Sequence, residues 1–343
     1  MKVKTNLLFE QDREFSIGPK TLLVGSNGSG KTMLLNAIRL ALIGSAQDLG
    51  GRDQFAAVKA GSSLINLGDV HRSPYAEVTF KSGQVARWGV VAGKRPTHVM
   101  PPVGVAYLMD EVMEAIRGSA DTRLTFFCRR FLGLYDEVAT WQRQKKRLAS
   151  LKKKLKAVEG EMELLRRHGV ESIGMQTQLG EIQAEVKELT AGVAELRANL
   201  WKLLKGQTYA ISLAIVTHLG EDSPIAFGFD VAEKEIRMGR LLNDTIHPYA
   251  SGAQWILLAT AICAAVTHVK DLDKPLYMVI IPDRALDEDM ILNIMRVASR
   301  IDGAVIFPCL PFTNYSPSLR YLTHRYDLPA WTVLDLDDEA QDA

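Results

Sequence analysis

One stretch constrains the fold of this chain more than any other: Gly25–Thr32, which reads Gly-Ser-Asn-Gly-Ser-Gly-Lys-Thr. This is the complete Gly-x-x-x-x-Gly-Lys-Thr pattern of a phosphate-binding loop (P-loop). The short apolar run Thr21–Val24 precedes it, and Met33–Leu42 follows with helical spacing. A strand, a glycine-rich turn and a helix in this order direct backbone N–H groups and a helix N-terminus at a triphosphate. The sequence therefore predicts a nucleoside-triphosphate site on an α/β scaffold.

The loop assigns roles to individual side chains. Lys31 is expected to reach the β- and γ-phosphates, and the hydroxyl of Thr32 is expected to ligate Mg²⁺. ATP and Mg²⁺ are thus the predicted cofactors, and Thr32 is the predicted metal ligand. The predicted nucleotide-binding residues of the loop are Asn27, Gly28, Ser29, Gly30, Lys31 and Thr32.

Composition limits the remaining possibilities. The 343 residues suffice for two domains, or for one large domain with an insertion. The net charge is only +1, so any nucleic-acid binding must come from a local patch. Cys128, Cys263 and Cys309 lie far apart and form no Cys-x-x-Cys pair, which argues against a zinc site or a disulfide framework.

The chain also offers no obvious membrane or export signal. No signal peptide is recognised at its N-terminus. The longest apolar stretch, Trp255–Val266, is too short to span a bilayer. We therefore expect a cytoplasmic location in a reducing environment, with no membrane partner.

Three segments with different patterns follow one another along the chain. Residues 1–135 and 206–343 show mixed α/β patterning, and residues 136–205 show continuous helical patterning. The predicted strands are Lys2–Leu8, Glu14–Ile17, Lys20–Val24, Ala76–Phe80, Val103–Leu108, Ile225–Val231, Glu235–Met238, Leu276–Ile281 and Ala304–Phe307. Helices are predicted at Thr32–Ile43, Asp110–Ile116 and Leu124–Leu132.

The middle segment carries a heptad pattern with one interruption. Apolar residues alternate at spacings of three and four on both sides of a break at His168–Gly174. Two heptad runs around one break predict an antiparallel coiled-coil hairpin inserted into the α/β domain. The predicted seam positions are Leu148, Leu151, Leu155, Val158, Met162, Leu165, Leu179, Ile182, Val186, Leu189, Val193, Leu196, Leu200 and Leu203.

The chain ends in an acidic run, Asp335-Leu336-Asp337-Asp338-Glu339. A run of like charges near a terminus is typical of a solvated, mobile end. We expect that structure here rather than a metal site.

These segments together resemble the SMC-like ABC ATPases, a group that includes SMC proteins, SbcC-type DNA-repair ATPases and RecF-type proteins. The P-loop and the following Asn36–Gly44 are similar to the first motif of that family. Tyr249–Gln254 resembles the ABC signature, and Pro282–Glu288 resembles the end of Walker B and the D-loop. The resemblance implies a P-loop ABC-type head, with its N-terminal lobe at 1–135, a hairpin at 136–205 and its C-terminal lobe at 206–343.

The signature segment implies a second phosphate-binding end. Ser251 and Gly252 begin a long apolar helix, whose N-terminal N–H groups favour an anion. In the family that this chain resembles, that end caps the γ-phosphate held by an opposite subunit. The resemblance therefore implies ATP-dependent dimerisation, expected here as a homodimer, through Ser251 and Gly252.

Three catalytic elements of that family have no counterpart in the chain. The positions of the Walker B Asp-Glu pair hold Ile280 and Ile281, the Q-loop glutamine position holds Met109, and no histidine follows the strand at 304–307, where Cys309 lies. Isoleucine neither orients Mg²⁺ nor polarises the attacking water. The sequence thus predicts a head that binds ATP and hydrolyses it weakly or not at all.

An alternative keeps hydrolysis. Asp283 lies just after the strand and reaches Mg²⁺ if the register slips, with Asp287 and Glu288 in unconventional roles. In this hypothesis Asp283, Asp287 and Glu288 are the catalytic residues of a true ATPase.

The first hairpin arm begins with a strongly basic stretch. Residues 143–156 contain eight basic and no acidic side chains: Arg143, Lys145, Lys146, Arg147, Lys152, Lys153, Lys154 and Lys156. A centre near residue 172 places residue i opposite about 344 − i, so the stretch is expected to face 188–201, which adds little negative charge. Such a patch binds phosphates without sequence preference.

The combined hypothesis is an ATP-gated clamp or scaffold on double-stranded DNA, acting in repair, recombination or genome maintenance. Because no nuclease constellation is visible, any nuclease or other repair activity would come from a partner. A third hypothesis is a structural subunit in which nucleotide only stabilises the fold and the hairpin docks another protein.

Overall fold

The structure is a computed structural model that describes residues 1–7, 12–44, 74–90, 97–100, 104–169, 172–219, 225–230, 235–242, 245–247, 252–269, 275–282, 286–309 and 331–337. The described residues fall into two compact units. The first unit lies within Met1–Glu114, Ala214–Phe227 and Met238–Ala343, and the second within Ala115–Leu213 and Gly228–Arg237.

In chain order the strands are β1 (Lys2–Thr5), β2 (Arg13–Ser16), β3 (Lys20–Val24), β4 (Tyr75–Thr79), β5 (Val85–Gly89), β6 (Thr97–Val99), β7 (Val105–Tyr107), β8 (Ile225–Asp230), β9 (Glu235–Leu242), β10 (Thr245–His247), β11 (Leu276–Ile280), β12 (Ala304–Cys309) and β13 (Thr332–Asp335). The helices are α1 (Lys31–Ile43), α2 (Leu108–Arg117), α3 (Ala120–Arg130), α4 (Tyr135–Arg167), α5 (Ile173–Gly206), α6 (Thr208–Leu219), α7 (Gly252–Thr267) and α8 (Glu288–Ser299).

A parallel sheet forms the centre of the first unit. Its order is β13-β3-β12-β11-β7, and every neighbouring pair is parallel. β3 and β12 are apolar on both faces, as is usual for strands covered on both sides. Because the strands are parallel, their carboxyl ends share one edge, which is where ligands bind in open α/β sheets.

An antiparallel sheet with the order β2-β1-β4-β5-β6 lies in the same unit. Its strands alternate buried and exposed residues, so one face packs inward. Helix α1 shares one apolar core with both sheets: Leu34 and Ile38 cluster with Val3 of the antiparallel sheet and with Met278 and Ile306 of the parallel sheet. This packing fixes the helix that continues the P-loop.

The hairpin is present in the second unit. Helices α4 and α5 have 33 and 34 residues and pack along each other. Val158 and Ile182 are buried in the seam, as the heptads predict, whereas Leu203 is 50% exposed and Leu204 is buried in its place. Ser172 caps α5 by accepting the N–H of Met175. The α/β fold with an inserted antiparallel hairpin is therefore confirmed.

The predicted pairing of the two arms is wrong. It placed Arg147 opposite residue 197, whereas Arg147 Nη2 donates to Glu185 Oε1 at 2.5 Å. Gln144 lies beside Gly192: a Cβ added to Gly192 would be 3.7 Å from Gln144 Oε1. The arms turn close to Gly169, whose φ is +70°, rather than at residue 172. An early turn moves every partner on α5 towards its N-terminus.

The sequence predicted most strands correctly and missed several. Strands at Val85–Gly89, Thr97–Val99, Thr245–His247 and Thr332–Asp335 had no predicted counterpart. β5 and β6 extend the antiparallel sheet, and β13 adds to the parallel sheet beside β3. β5, β6 and β13 have only three to five residues each, so their sequence patterns predict a strand weakly. Pairing with neighbouring strands stabilises them in the fold.

The apolar stretch Trp255–Val266 lies within α7, and its residues from Ile256 onwards are buried. In the part of the chain that the structure describes, no helix has the length and apolar character needed to cross a membrane. Cys128, Cys263 and Cys309 are buried thiols, and burial raises the pKa values of the Cys128 and Cys263 thiols.

Candidate nucleotide site and candidate nucleic-acid interface

The P-loop connects the carboxyl end of β3 to the first residue of α1. Gly28 and Gly30 have φ values of +91° and +97°, which side chains other than glycine rarely adopt. Gly25 is required for a different reason, because a Cβ there would lie 2.3 Å from Ser29 Oγ. The glycines of the motif are therefore needed for the turn itself.

Lys31 is already oriented into the loop. Its side chain is 5% exposed, and its Nζ donates to the carbonyls of Gly25 at 2.5 Å and Ser26 at 3.0 Å. An ammonium group held in this way under a glycine-rich loop provides a fixed positive charge for phosphate oxygens. The other loop residues keep the loop open, since Asn27 and Gly28 are exposed and Thr32 is exposed at the start of α1.

These residues fit a triphosphate. Ser29 Oγ is buried and has no hydrogen-bond partner among the described residues, so a polar group is available inside the loop. The N-terminus of α1 has no acidic residue in its first turn and no side-chain cap, so its positive end is suited to an anion. Thr32, exposed at the start of α1, would hold a Mg²⁺ ion through its hydroxyl, and the ion would neutralise phosphate charge.

The acidic run at the end of the chain contacts the P-loop, which contradicts the prediction of a solvated, mobile end for residues 335–337. β13 pairs with β3, and Asp335 aligns with Val24. Asp337 then accepts the N–H of Ser26 at 2.7 Å through Oδ2 and the Ser26 hydroxyl at 2.9 Å through Oδ1. Residues 338 and 339 lie outside the described residues. Sequence reasoning missed this contact because the strand that delivers Asp337 is short and acidic.

The positions predicted to lack catalytic groups lie at the carboxyl edge of the same parallel sheet. Ile280 ends β11, Cys309 ends β12, and Met109 lies just after β7 in the first turn of α2. Ile280, Ile281, Met109 and Cys309 are at most 3% exposed. Among the described residues, no group of three or more metal-ligating side chains occurs. Apolar side chains therefore occupy the ends of β11 and β12, on one side of the P-loop strand.

Of the three candidate catalytic residues of the ATPase alternative, the structure describes two, at the start of α8. Asp283 lies outside the described residues. Asp287 is the N-cap of α8, and its Oδ1 accepts the N–H of Met290 at 2.8 Å. Glu288 is the first residue of α8. The observed role of Asp287 is that of an ordinary helix cap.

The signature segment is described only from Gly252 onwards. Ser251 lies outside the described residues, whereas Gly252 is exposed and begins α7, the long apolar helix that the sequence predicts. The first turn of α7 contains no acidic residue. Its N-terminal N–H groups are thus suited to an anion.

An ion pair between a buried arginine and a partly exposed aspartate links the P-loop helix to α2, which follows β7. Arg39 of α1 is 3% exposed, donates to the carboxylate of Asp110, and lies 4.7 Å from the ring centroid of Tyr107. Burial raises the pKa of Tyr107, so its hydroxyl stays neutral. A single arginine within an apolar helix has no distinctive pattern, so the sequence alone does not reveal this link.

The eight basic residues of the first arm are all exposed. Two of them are engaged: Lys145 pairs with Asp121 and Arg147 with Glu185, each at 2.5 Å. Among the described residues, the others have no salt bridge: Arg143, Lys146, Lys152, Lys153, Lys154 and Lys156. The corrected pairing of the arms therefore reduces the predicted positive patch but does not remove it.

The chain is similar to one protein-family model and to solved Smc head domains. The family model of the AAA domain matches residues 8–124. A solved Smc head domain with an extended coiled coil, bound to the C-terminal domain of ScpA and derived from Pyrococcus furiosus, is similar with a TM-score of 0.47 and 16% identity, over 90% of this chain and 89% of that one. An Smc head domain with a coiled coil and joint from Pyrococcus yayanosii gives 0.46 and 13%, over 90% and 91%. No curated protein matches the sequence.

Proposed function

We propose that this protein is an ATP-binding, SMC-like head that holds double-stranded DNA through the basic part of its hairpin and hydrolyses ATP weakly or not at all. The observation that carries the proposal is the P-loop. Its lysine is in place, its positive-φ glycines are formed, and its helix N-terminus is open. These are the groups that a triphosphate needs for binding.

The apolar strand ends support weak hydrolysis. Attack on the γ-phosphate needs a group that orients or polarises water and a carboxylate near Mg²⁺. Ile280 and Ile281 are buried where the family resemblance expects that carboxylate pair. Lys31 and Thr32 can bind the phosphates and the cation, but neither is a base for the attacking water.

ATP then acts as a ligand that brings two heads together. The exposed N-terminus of α7 at Gly252 offers N–H groups to a γ-phosphate held by a second copy. Ser251 would add a hydroxyl there. In this proposal the dimer forms with ATP and separates when ATP leaves, and a nuclease or another repair protein acts with it as a partner.

DNA binding follows from the exposed cations of α4. Lys152, Lys153 and Lys154 are consecutive and exposed, so they cover a broad part of the helix surface. Lysines on a helix surface contact phosphates as point charges and do not read bases. The expected binding is thus non-specific and steeply dependent on salt.

Nucleotide binding and turnover of the purified protein test the proposal directly. We expect saturable Mg²⁺-dependent ATP binding that is lost in Lys31→Ala, together with turnover close to background. Lys2→Ala is the matched control, because Lys2 is an exposed lysine that pairs with Glu14 on the antiparallel sheet. Robust turnover that depends on Lys31 would contradict weak hydrolysis and favour the alternative through Asp283, which Asp283→Asn then tests.

Charge reversal on the hairpin tests the DNA part. Lys152→Glu/Lys153→Glu should weaken binding to duplex DNA and reduce the slope of log K against log salt by about 2 or more. Arg166→Glu/Arg167→Glu changes the same charge near the end of α4 and should leave that slope nearly unchanged. No loss in either variant would contradict DNA binding by the hairpin and favour the protein-docking role, and equal losses in both would contradict a role specific to the basic stretch.

A further inference from the structure

We propose that Asp337 is a positioning residue of the P-loop, which holds the loop and Lys31 in the geometry that binds phosphates. This inference rests on the proposed nucleotide binding and adds a residue from the far end of the chain to that site. Asp337 and Ser26 are 311 residues apart in sequence. Nothing in the loop motif itself calls for such a partner.

Asp337 accepts two hydrogen bonds from one residue of the loop. Oδ2 of Asp337 accepts the Ser26 N–H at 2.7 Å, and Oδ1 accepts the Ser26 hydroxyl at 2.9 Å. A carboxylate that accepts two hydrogen bonds from one residue fixes both the position and the rotation of that residue. The rotamer of Ser26 and the plane of its N–H are therefore set by Asp337.

The same peptide group connects Asp337 to the lysine. The N–H of Ser26 and the carbonyl of Gly25 belong to one planar peptide. Asp337 accepts from its N–H side, and Lys31 Nζ donates to its carbonyl side at 2.5 Å. A negative acceptor on one side polarises the carbonyl on the other, so the two hydrogen bonds reinforce each other. Asp337 thus acts on Lys31 through one peptide plane.

Asp337 is itself held firmly. Its own N–H donates to Asp335 Oδ1 at 3.0 Å, which closes a tight turn. The preceding residue, Leu336, is 2% exposed and donates its N–H to the carbonyl of Val24 at 3.0 Å. β13 pairs with β3 up to Asp335 and Val24. The strand that leads into the P-loop and the strand that carries Asp337 are therefore one rigid pair.

Pre-organisation of this kind increases affinity because less ordering remains to be done on binding. The carboxylate also carries a negative charge, which by itself would repel a triphosphate. The two effects have opposite signs, so a measurement of affinity separates them. We infer that positioning is the larger effect, because the loop with its buried lysine is already assembled in the presence of the carboxylate.

The test compares ATP affinity in three variants of the full chain. Asp337→Ala removes both acceptors and should weaken ATP binding about tenfold. Asp337→Asn keeps an acceptor for the Ser26 N–H and should stay within about threefold of the parent. Asp338→Asn removes the same charge one residue further along and serves as the control. An Asp338→Asn loss as large as that of Asp337→Ala would overturn the proposal, because the loss would then not depend on the hydrogen bonds between Asp337 and Ser26.

Two further readouts separate positioning from a merely structural role. Inorganic tripolyphosphate, which has no base or sugar, should lose the same factor as ATP in Asp337→Ala when both are measured well below the melting temperature of the variant. Ser26→Ala should add little loss once Asp337 is alanine, since the two act as one unit. If Asp337→Ala does not fold, Ser26→Ala alone must still weaken binding, and an unchanged affinity there overturns the proposal.

The outcomes also distinguish this proposal from the function on which it rests. A parent protein that fails to bind ATP, or that binds it equally well as Lys31→Ala, overturns both. A parent protein that binds ATP through Lys31 while Asp337→Ala binds as well or more tightly overturns only the positioning role. Tighter binding would identify the carboxylate as an electrostatic repulsion on the nucleotide.

Discussion

Two neighbouring parts of one sheet edge differ sharply in character. At the end of β3, the P-loop presents backbone N–H groups, the Lys31 ammonium and the hydroxyls of Ser29 and Thr32. At the ends of β11 and β12, the side chains are Ile280, Ile281 and Cys309, all buried. Binding a phosphate and cleaving it use different groups. Here the groups proposed for binding are in place, and buried apolar side chains lie where the family resemblance expects the groups for cleavage.

The strongest test of this difference places a carboxylate among the apolar side chains at the end of β11. Ile281→Asp should destabilise the protein by at least about 3 kcal/mol, because Ile281 is 0% exposed and a carboxylate there would lose its hydration. The free energy of unfolding from denaturant titrations measures this. Ile281→Val is the control and should cost about 0.5–1.5 kcal/mol. A small loss for the aspartate would mean that the strand end is polar and the contrast is false.

The binding end is tested by its lysine. Lys31→Ala should weaken ATP binding by about 30- to 150-fold, which corresponds to the roughly 2–3 kcal/mol of a hydrogen bond from a charged donor. Isothermal titration calorimetry gives the dissociation constant, with Lys2→Ala as the exposed control. An affinity unchanged in Lys31→Ala would remove the P-loop from nucleotide binding altogether.

The link between the two ends is expected to matter less. Asp110→Asn removes the charge that faces the buried guanidinium of Arg39 and should cost about 1–2 kcal/mol, since Asp110 itself is 38% exposed. Glu163→Gln, which removes the partner of the exposed Arg167, should cost less than about 0.5 kcal/mol. Equal losses in the two unfolding titrations would show that α1 gains nothing from this pair.

The smallest effect concerns the opposite, amino-terminal edge of the sheet. Burial lowers the pKa of Lys20 to about 8, although the charge of Asp302 opposes this, and its Nζ donates to the carbonyls of Ile301 and Gly303 at 2.6 and 2.7 Å. A folded-state pKa below the unfolded value of 10.5 means that unfolding takes up a proton. Stability should therefore rise from pH 8 towards pH 10.5, and Lys20→Met should reduce that rise. Parallel titrations of parent and variant at two pH values check it.

The turn of the P-loop could be predicted from the sequence because its geometry depends on eight consecutive residues. Its glycines are required by the local backbone conformation and by close local contacts. The heptad seam was predicted for a similar reason, since its period repeats over many turns. The register of the hairpin was not predictable in the same way. Residues 168–174 contain several turn-forming residues, and the sequence does not show which of them forms the turn. The predicted turn placed Arg147 opposite residue 197, whereas it pairs with Glu185.

The contact of Asp337 with Ser26 was missed because it depends on tertiary pairing. Thr332–Asp335 is four residues long, and its acidic continuation resembles a solvated tail. Only its alignment with β3 shows that Asp337 reaches the loop. The Arg39–Asp110 pair was missed for the same reason, since its partners belong to different elements.

The central position of β3 also has a consequence for how the chain folds. β3 lies between β12 and β13, whose residues come roughly 280 to 310 positions later in the chain. Contacts of such large sequence separation close long loops and slow folding. During synthesis the two strands that flank β3 are made roughly 280 to 310 residues after the P-loop segment. The surroundings of the phosphate loop can therefore be completed only after β13 (Thr332–Asp335) has been translated.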